Sequence, residues 1–174
     1  VLVGSTGIIG KRMNMQAVRT GVPALIAALS GRGIAQAKKA IQTTDKLPKE
    51  MTVRFPLAGK TVTVCGIAKG AGMIAPNMAT MLCYITTDAV IPAAVLERAM
   101  RSSVDLSFNC ITVDGCMSTN DTVIVMANGC AGNAPITGGK AYALFCRALE
   151  TVCQHLAKQM VREGEGPSKC IRIC

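Results

Sequence analysis

The spacing of apolar positions changes several times along the chain, and each change predicts an element. Val1-Leu-Val3 runs into Gly4, Gly7 and Gly10, which predicts a strand over residues 1–10 entering a glycine-rich turn. From Pro23 the apolar residues return at helical spacing, predicting a helix over 23–41 that Gly31 and Gly33 interrupt or divide. Thr43, Thr44 and Asp45 follow at its end. Alternation in Thr52–Phe55 and again in Thr61–Cys65 predicts two strands, with Ala58-Gly59-Lys60 as the hairpin turn. The stretch Gly66–Pro76 is rich in glycine and carries Lys69; Met78–Thr86 is apolar and extended.

Pro92 then opens a helix whose inward side carries Ala93, Val95, Leu96, Ala99 and Met100. Asn109–Val113 and Thr122–Ala127 read as strands joined through Gly115–Asp121, a segment of turn-forming polar residues. The strongest signal lies in 139–163, where Leu144, Phe145, Ala148, Leu149, Val152, Leu156 and Met160 recur at three- and four-residue steps. Gly164-Glu-Gly-Pro167 stops this helix, and a final strand is predicted from Ser168. Adjacent strand pairs mixed with helices indicate an α+β or layered α/β fold. Both chain ends read as cut through structure, so an internal fragment of a larger protein is expected.

Composition narrows the function classes. The net charge of +9 is scattered, and at 3% aromatic residues the chain lacks platforms for stacking bases, so nucleic acid is not the expected partner. A basic field serves equally well to attract small carboxylates. No apolar run reaches the roughly 18 residues of a membrane span. Nine cysteines form no C-x-x-C pair and the chain has one histidine, His155, within the long helical pattern. Buried reduced thiols are expected, and no metal site.

Three segments carry candidate chemistry. Gly4-Ser-Thr-Gly7-Ile-Ile-Gly10 resembles a dinucleotide fingerprint, but no second strand follows and no acidic residue precedes Asp45. A phosphate loop fails as well, since Ser5 and Arg12 stand where glycine and a hydroxyl residue are needed. A tight structural turn remains open, as does an anion-stabilising turn using Thr6 and the amide of Gly7. Thr43-Thr44-Asp45 either ends a helix or offers two hydroxyls and a carboxylate to a pocket. In Lys69–Met81, Thr80 follows the small residue Ala79. If the chain breaks before Thr80, its new α-amine, with an ordinary pKa of about 7.7–8.0, becomes a general base for its own hydroxyl. Lys69 would then hold a carboxylate or tune that amine.

Several stretches together resemble one family. They are Ser5-Thr-Gly-Ile-Ile-Gly10, Thr43-Thr-Asp45, Lys69-Gly-Ala-Gly-Met-Ile-Ala-Pro-Asn-Met-Ala-Thr-Met81, Thr86-Thr-Asp88, Met117-Ser-Thr-Asn-Asp-Thr122 and Arg162-Glu-Gly-Glu-Gly-Pro-Ser-Lys169. In this order they are similar to the glutamate N-acetyltransferases, or ornithine acetyltransferases, of arginine biosynthesis. The resemblance implies an α/β sandwich of two sheet layers, superficially like the N-terminal-nucleophile hydrolases. It implies self-cleavage between Ala79 and Thr80, so that residues 1–79 end an α chain and 80–174 begin a β chain. The cleaved chains would associate, as a heterotetramer of two α and two β chains.

In such an enzyme Thr80 takes the acetyl group of N2-acetylornithine and L-glutamate receives it. Some members accept acetyl-CoA as donor; no cofactor is implied. The implied roles are Thr80 as nucleophile, Thr6 and Gly7 as oxyanion hole, and Thr43, Thr44, Lys69, Thr80 and Glu165 as substrate contacts. The compartment would be the cytoplasm in a bacterium, and a plastid or the mitochondrial matrix in a eukaryote. Pro167-Ser168 departs from the family's usual Ala-Thr, and the family's final substrate contacts near its C-terminus have no counterpart here. The rivals are an amidase or aminopeptidase passing the acyl group to water, and an inactive scaffold.

Overall fold

A computed structural model describes residues 2–75, 80–166 and 168–173. Its centre is a four-stranded sheet in the order β1 (Lys49–Leu57), β2 (Lys60–Lys69), β3 (Leu82–Thr87), β4 (Thr122–Ala127). The β1–β2 hairpin closes at Leu57↔Lys60 through Ala58 and Gly59, whose φ values of 47° and 78° give the doubly left-handed turn that suits the twist of paired strands. β2 pairs β3 antiparallel, whereas β3 pairs β4 in parallel, which requires a crossover. Helix α3 (Ala93–Asp105) lies in that crossover.

The register decides what each face of the sheet carries. Val62, Val64 and Ala68 of β2 and Cys83 and Ile85 of β3 lie on one side and are buried. Against them packs α4 (Gly139–Arg162), which buries Phe145, Leu149, Val152, Leu156 and Met160, the spacing the sequence predicts. Gly66 lets this helix approach, because a Cβ there would sit 2.8 Å from Val152 Cγ1 and 3.0 Å from Leu156 Cδ1. α3 completes the layer, with Ala99 and Ser103 buried.

Several expectations need correction. Residues 2–10 form no strand; their tie to the sheet is the Tyr84 hydroxyl donating to the Gly4 carbonyl at 3.1 Å. The first helix, α1 (Met15–Ala27), starts eight residues before Pro23 and holds that proline inside it. Asn14 caps it by accepting the Ala17 N–H at 3.1 Å, a start signal that the proline outweighed in the sequence. The division at Gly31 and Gly33 is real, since the next helix, α2 (Ile34–Ala40), begins after them. Asn109–Val113 is not a strand. Ser107 Oγ, Asn109 Nδ2 and Cys110 Sγ donate back to Ser103, Asp105 and Asp105, and these local bonds extend α3 into a 3-10 turn at Phe108–Cys110. Residues 168–173 are exposed and form no strand.

Of the eight described cysteines, all free, only Cys83 and Cys153 are buried; Cys65 and Cys146 are half-buried and Cys110, Cys116, Cys130 and Cys170 are exposed. Burial of most thiols is therefore overturned.

Candidate active site

β2 ends at Lys69 and β3 begins at Leu82. A cavity of about 360 Å³ is lined by Thr43, Thr44, Lys69, Gly72, Met73, Thr80, Asp114, Cys116, Glu165 and Ala71. Five residues named from the sequence thus meet in one place, although they are spread from position 43 to position 165. Thr6, which is half-buried, and Gly7, which is exposed, do not line it. Ala79, the other half of the expected cleavage site, lies outside the described residues.

Each arm of the cavity is anchored by buried polar contacts. Asp45 does not face the ligand space. Its carboxylate, 1% exposed, accepts from Gly70 N at 2.7 Å, Lys49 Nζ at 2.7 Å and Thr43 N at 3.3 Å. Burial raises its pKa, but the bonds from Gly70 and Lys49 outweigh this and hold the carboxyl below the ordinary range. Lys49 also meets Glu163 at 3.1 Å, and Glu163 accepts the Leu47 N–H, so the segment carrying Thr43 and Thr44 is tied to β1 and to the end of α4.

Lys69 is 2% exposed and donates to Thr43 Oγ1 at 3.3 Å. Burial pushes its pKa down, while the negative charges of Asp45, Asp121 and Glu165 pull it back up. Glu165 faces it from the far end of α4, its backbone N–H held by the Ala71 carbonyl at 2.6 Å. The cavity therefore offers one buried cation and carboxylates of opposite sign, a pattern suited to a zwitterion.

Thr80 sits where three hydrogen bonds of the backbone converge, two to carbonyls and one to a carboxylate. Its N–H donates to the Met73 carbonyl at 2.8 Å, Met81 N donates to Asp121 Oδ1 at 2.8 Å, and Thr122 N donates to the Met81 carbonyl at 3.1 Å. The Thr80 hydroxyl oxygen is buried and has no hydrogen-bond partner among the described residues. A buried hydroxyl without a partner is costly to the fold and calls for an explanation. Asp121 lies just behind; burial raises its carboxyl to about 6 against the Met81 bond and the Lys69 charge.

Sequence reasoning missed Gly72, Asp114 and Cys116. Asp114 was hidden because 109–113 looked like a strand, with Gly115 as the start of its turn. Among the described residues, no group of His, Cys, Asp and Glu is arranged to hold a metal ion, and no helix is long and apolar enough to cross a membrane.

Comparison with known proteins points to the same family as the motifs. A family model described as the ArgJ family matches residues 1–174. The chain is similar to the arginine biosynthesis bifunctional protein ArgJ of Symbiobacterium thermophilum, with 52% identity over 98% of this chain and 43% of that protein. It is also similar to the protein of the same name from Synechococcus, with 49% identity over 99% of this chain and 42% of that one. A crystal structure of arginine biosynthesis bifunctional protein argJ from Bacillus halodurans is 46% identical, with a TM-score of 0.48 over 49% of this chain and 41% of that chain. The chain thus spans less than half the length of the curated relatives it matches.

Proposed function

The chain belongs to the ArgJ family, and on that premise we propose that its parent protein transfers an acetyl group from N2-acetylornithine to L-glutamate through Thr80. The observation that carries the reading is the Thr80 hydroxyl, without a partner among the described residues, in a cavity shared with Lys69, Thr43, Thr44 and Glu165.

The chemistry has two stages. In the first, Thr80 Oγ1 attacks the carbonyl carbon of residue 79, the C–N bond breaks, and the hydroxyl proton passes to the Thr80 nitrogen. Water hydrolyses the resulting ester, leaving a carboxylate on residues 1–79 and a free amine and hydroxyl on Thr80. In the second, that amine takes the hydroxyl proton as Oγ1 attacks the acetyl carbonyl of N2-acetylornithine. The ammonium gives that proton to the amide nitrogen as its C–N bond breaks, ornithine leaves and an acetyl ester stays on Thr80. The amine of glutamate then attacks the ester, its C–O bond breaks, and a proton from that amine restores the Thr80 hydroxyl. Lys69 holds the substrate α-carboxylate, Thr43 and Thr44 donate hydroxyl contacts, and Glu165 receives an ammonium group. Thr6 and Gly7 form the oxyanion hole of the parent, which requires residues 4–10 to lie closer to Thr80 there than here. Acetyl-CoA would enter as a donor substrate, with no resident cofactor.

Residues 1–79 and 80–174 become parts of the α and β chains, paired as two of each. The face of the sheet opposite α4, with Cys65 and Tyr84 half-buried and Met126 exposed, suits one layer of a two-sheet sandwich of the N-terminal-nucleophile type. The bacterial relatives are consistent with a cytoplasmic enzyme.

Intact mass of the full-length parent tests this. Two chains, the second starting at Thr80, are expected, and N2-acetylornithine without acceptor should add one acetyl mass to the second. Thr80→Ala should abolish both. A single uncut chain in the unaltered parent, or an adduct passed to water and never to glutamate, would refute the transferase.

A further inference from the structure

We propose that Asp114 is a positioning residue for the chemistry at Thr80, holding the Met73 peptide so that the Met73 carbonyl anchors the Thr80 nitrogen. The inference rests on the reading of Thr80 given above.

Among the described residues two that are not glycine have positive φ. Ala58, at 47°, is explained by the hairpin turn. Met73, at 55°, lies in no hairpin, and a side chain is disfavoured there. Asp114 compensates: Oδ2 accepts Met73 N at 2.5 Å, and Oδ1 accepts both Ile74 N and Cys116 N at 3.0 Å. Successive amides converging on one carboxylate form an anion-holding nest. Burial works against the charged form of Asp114, but the bonds from Cys116, Met73 and Ile74 outweigh it and keep the carboxyl below its ordinary range. Val113 N and Thr112 Oγ1 both donate to the Ile74 carbonyl, at 2.8 and 2.9 Å, and lace the same two segments together. The result of this bracing is one bond, from Thr80 N to the Met73 carbonyl at 2.8 Å.

That nitrogen changes role during the chemistry, and the carbonyl suits both roles. In the uncut chain it belongs to the bond that breaks. As it receives the hydroxyl proton and pyramidalises it gains positive character, which an adjacent carbonyl oxygen stabilises. After cleavage the same oxygen accepts from the α-amine and limits its rotation, which keeps the lone pair near Oγ1. A carbonyl acceptor favours the protonated amine, so losing it lowers the amine's pKa. The charged and titratable groups facing this nitrogen are Lys69 from β2, Asp114 and Cys116 from the segment before β4, Asp121 at the foot of β4 and Glu165 beyond α4.

Asp114→Asn in the full-length parent tests the role. Asparagine keeps one acceptor oxygen and turns an N–H2 toward an amide. Intact-mass time courses should show precursor cleavage slowed about 10-fold or more. In matured enzyme the acid limb of kcat/KM against pH should move down by about half a unit, with kcat reduced and KM for N2-acetylornithine within about twofold. If unaltered parent yields no Thr80 chain, the nucleophile reading itself fails. If unaltered parent matures and Asp114→Asn matches its rate and pH limb, the positioning role alone is overturned. Should Asp114→Asn not fold, Met73→Gly is added to it, because glycine reaches positive φ without the carboxylate's support. Recovery of at least about threefold in cleavage rate over any residual supports the role. A folded double variant without recovery, or two variants that never fold, overturns it.

Discussion

Adding one methyl group at Gly72 separates the cavity's ligand chemistry from its structural support. An ideal Cβ there would lie 2.9 Å from Glu165 Oε2 and 3.1 Å from Glu165 Cδ, against about 3.4 Å for ordinary contact. The carboxylate must therefore retreat by about 0.5 Å, the difference between 3.4 and 2.9 Å. The obstructing atoms are the far end of a flexible, exposed side chain, and Gly72 is not in the left-handed region. Gly72→Ala should thus leave the fold alone, with a stability change within about 0.5 kcal/mol and Tm within about 2 °C. Function should suffer more. A charge-assisted bond contributes about 1.5–3 kcal/mol, and a displacement of this size forfeits about half of it, about 4- to 13-fold in kcat/KM for N2-acetylornithine. The assay is transfer kinetics of the full-length parent in a cycle with Glu165→Ala. If the methyl acts through Glu165, it adds nothing once that carboxylate is gone. Unchanged kinetics, or an equal loss in the Glu165→Ala background, would refute both the geometry and the role given to Glu165.

Gly66→Ala is the structural counterpart: its Cβ would meet Val152, Leu156 and Ile85 at 2.8–3.2 Å, all in the core, so a loss of about 1–3 kcal/mol in denaturant unfolding is expected without any selective effect on KM. Asp121 has its carboxyl raised to about 6, so the folded state holds its proton more tightly than the unfolded chain, and stability contributed by this group falls as pH rises from about 4 through 6. Asp121→Asn keeps an oxygen for Met81 N and should flatten that fall, giving a higher Tm than the unaltered protein at pH 8; thermal melts across this range with identical slopes would count against it.

How much of this was legible from the residues depends on the range of the interactions. α4 and β4 were readable because their apolar spacing and the local backbone agree, and β4 spans the predicted 122–127. Pro23 misplaced the start of α1, since a proline within a helix is penalised by local rules that this helix overrides. The final strand failed because strand formation needs a neighbour to pair with, which the sequence of 168–173 cannot supply by itself. The cavity residues were named by motif resemblance, not by periodicity. What no local pattern could give was the use of each carboxylate. Asp45 looked like a ligand contact beside two threonines and serves instead as the anchor of Gly70 and Lys49. Asp114 looked like the edge of a strand and holds Met73 and Ile74 from forty residues away.

The same long-range contacts bear on how a chain broken before Thr80 would stay together. β2 lies on one side of the break and β3 on the other, and they pair over six residues from Val64↔Thr87 to Lys69↔Leu82. α4, from the second part, packs its buried face on β1 and β2 from the first. Lys49 meets Glu163 and Leu47 N–H meets the same carboxylate, while Asp114 grips Met73 and Ile74. The break would fall between β2 and β3 in sequence, and each of these contacts joins residues other than the two it separates. A terminal amine at Thr80 would therefore be created two residues before β3 of an intact sheet, with Lys69 and Glu165 held on either part. The cost of generating a nucleophile with its own base is then confined to one peptide bond, because the fold that positions it is built across the break.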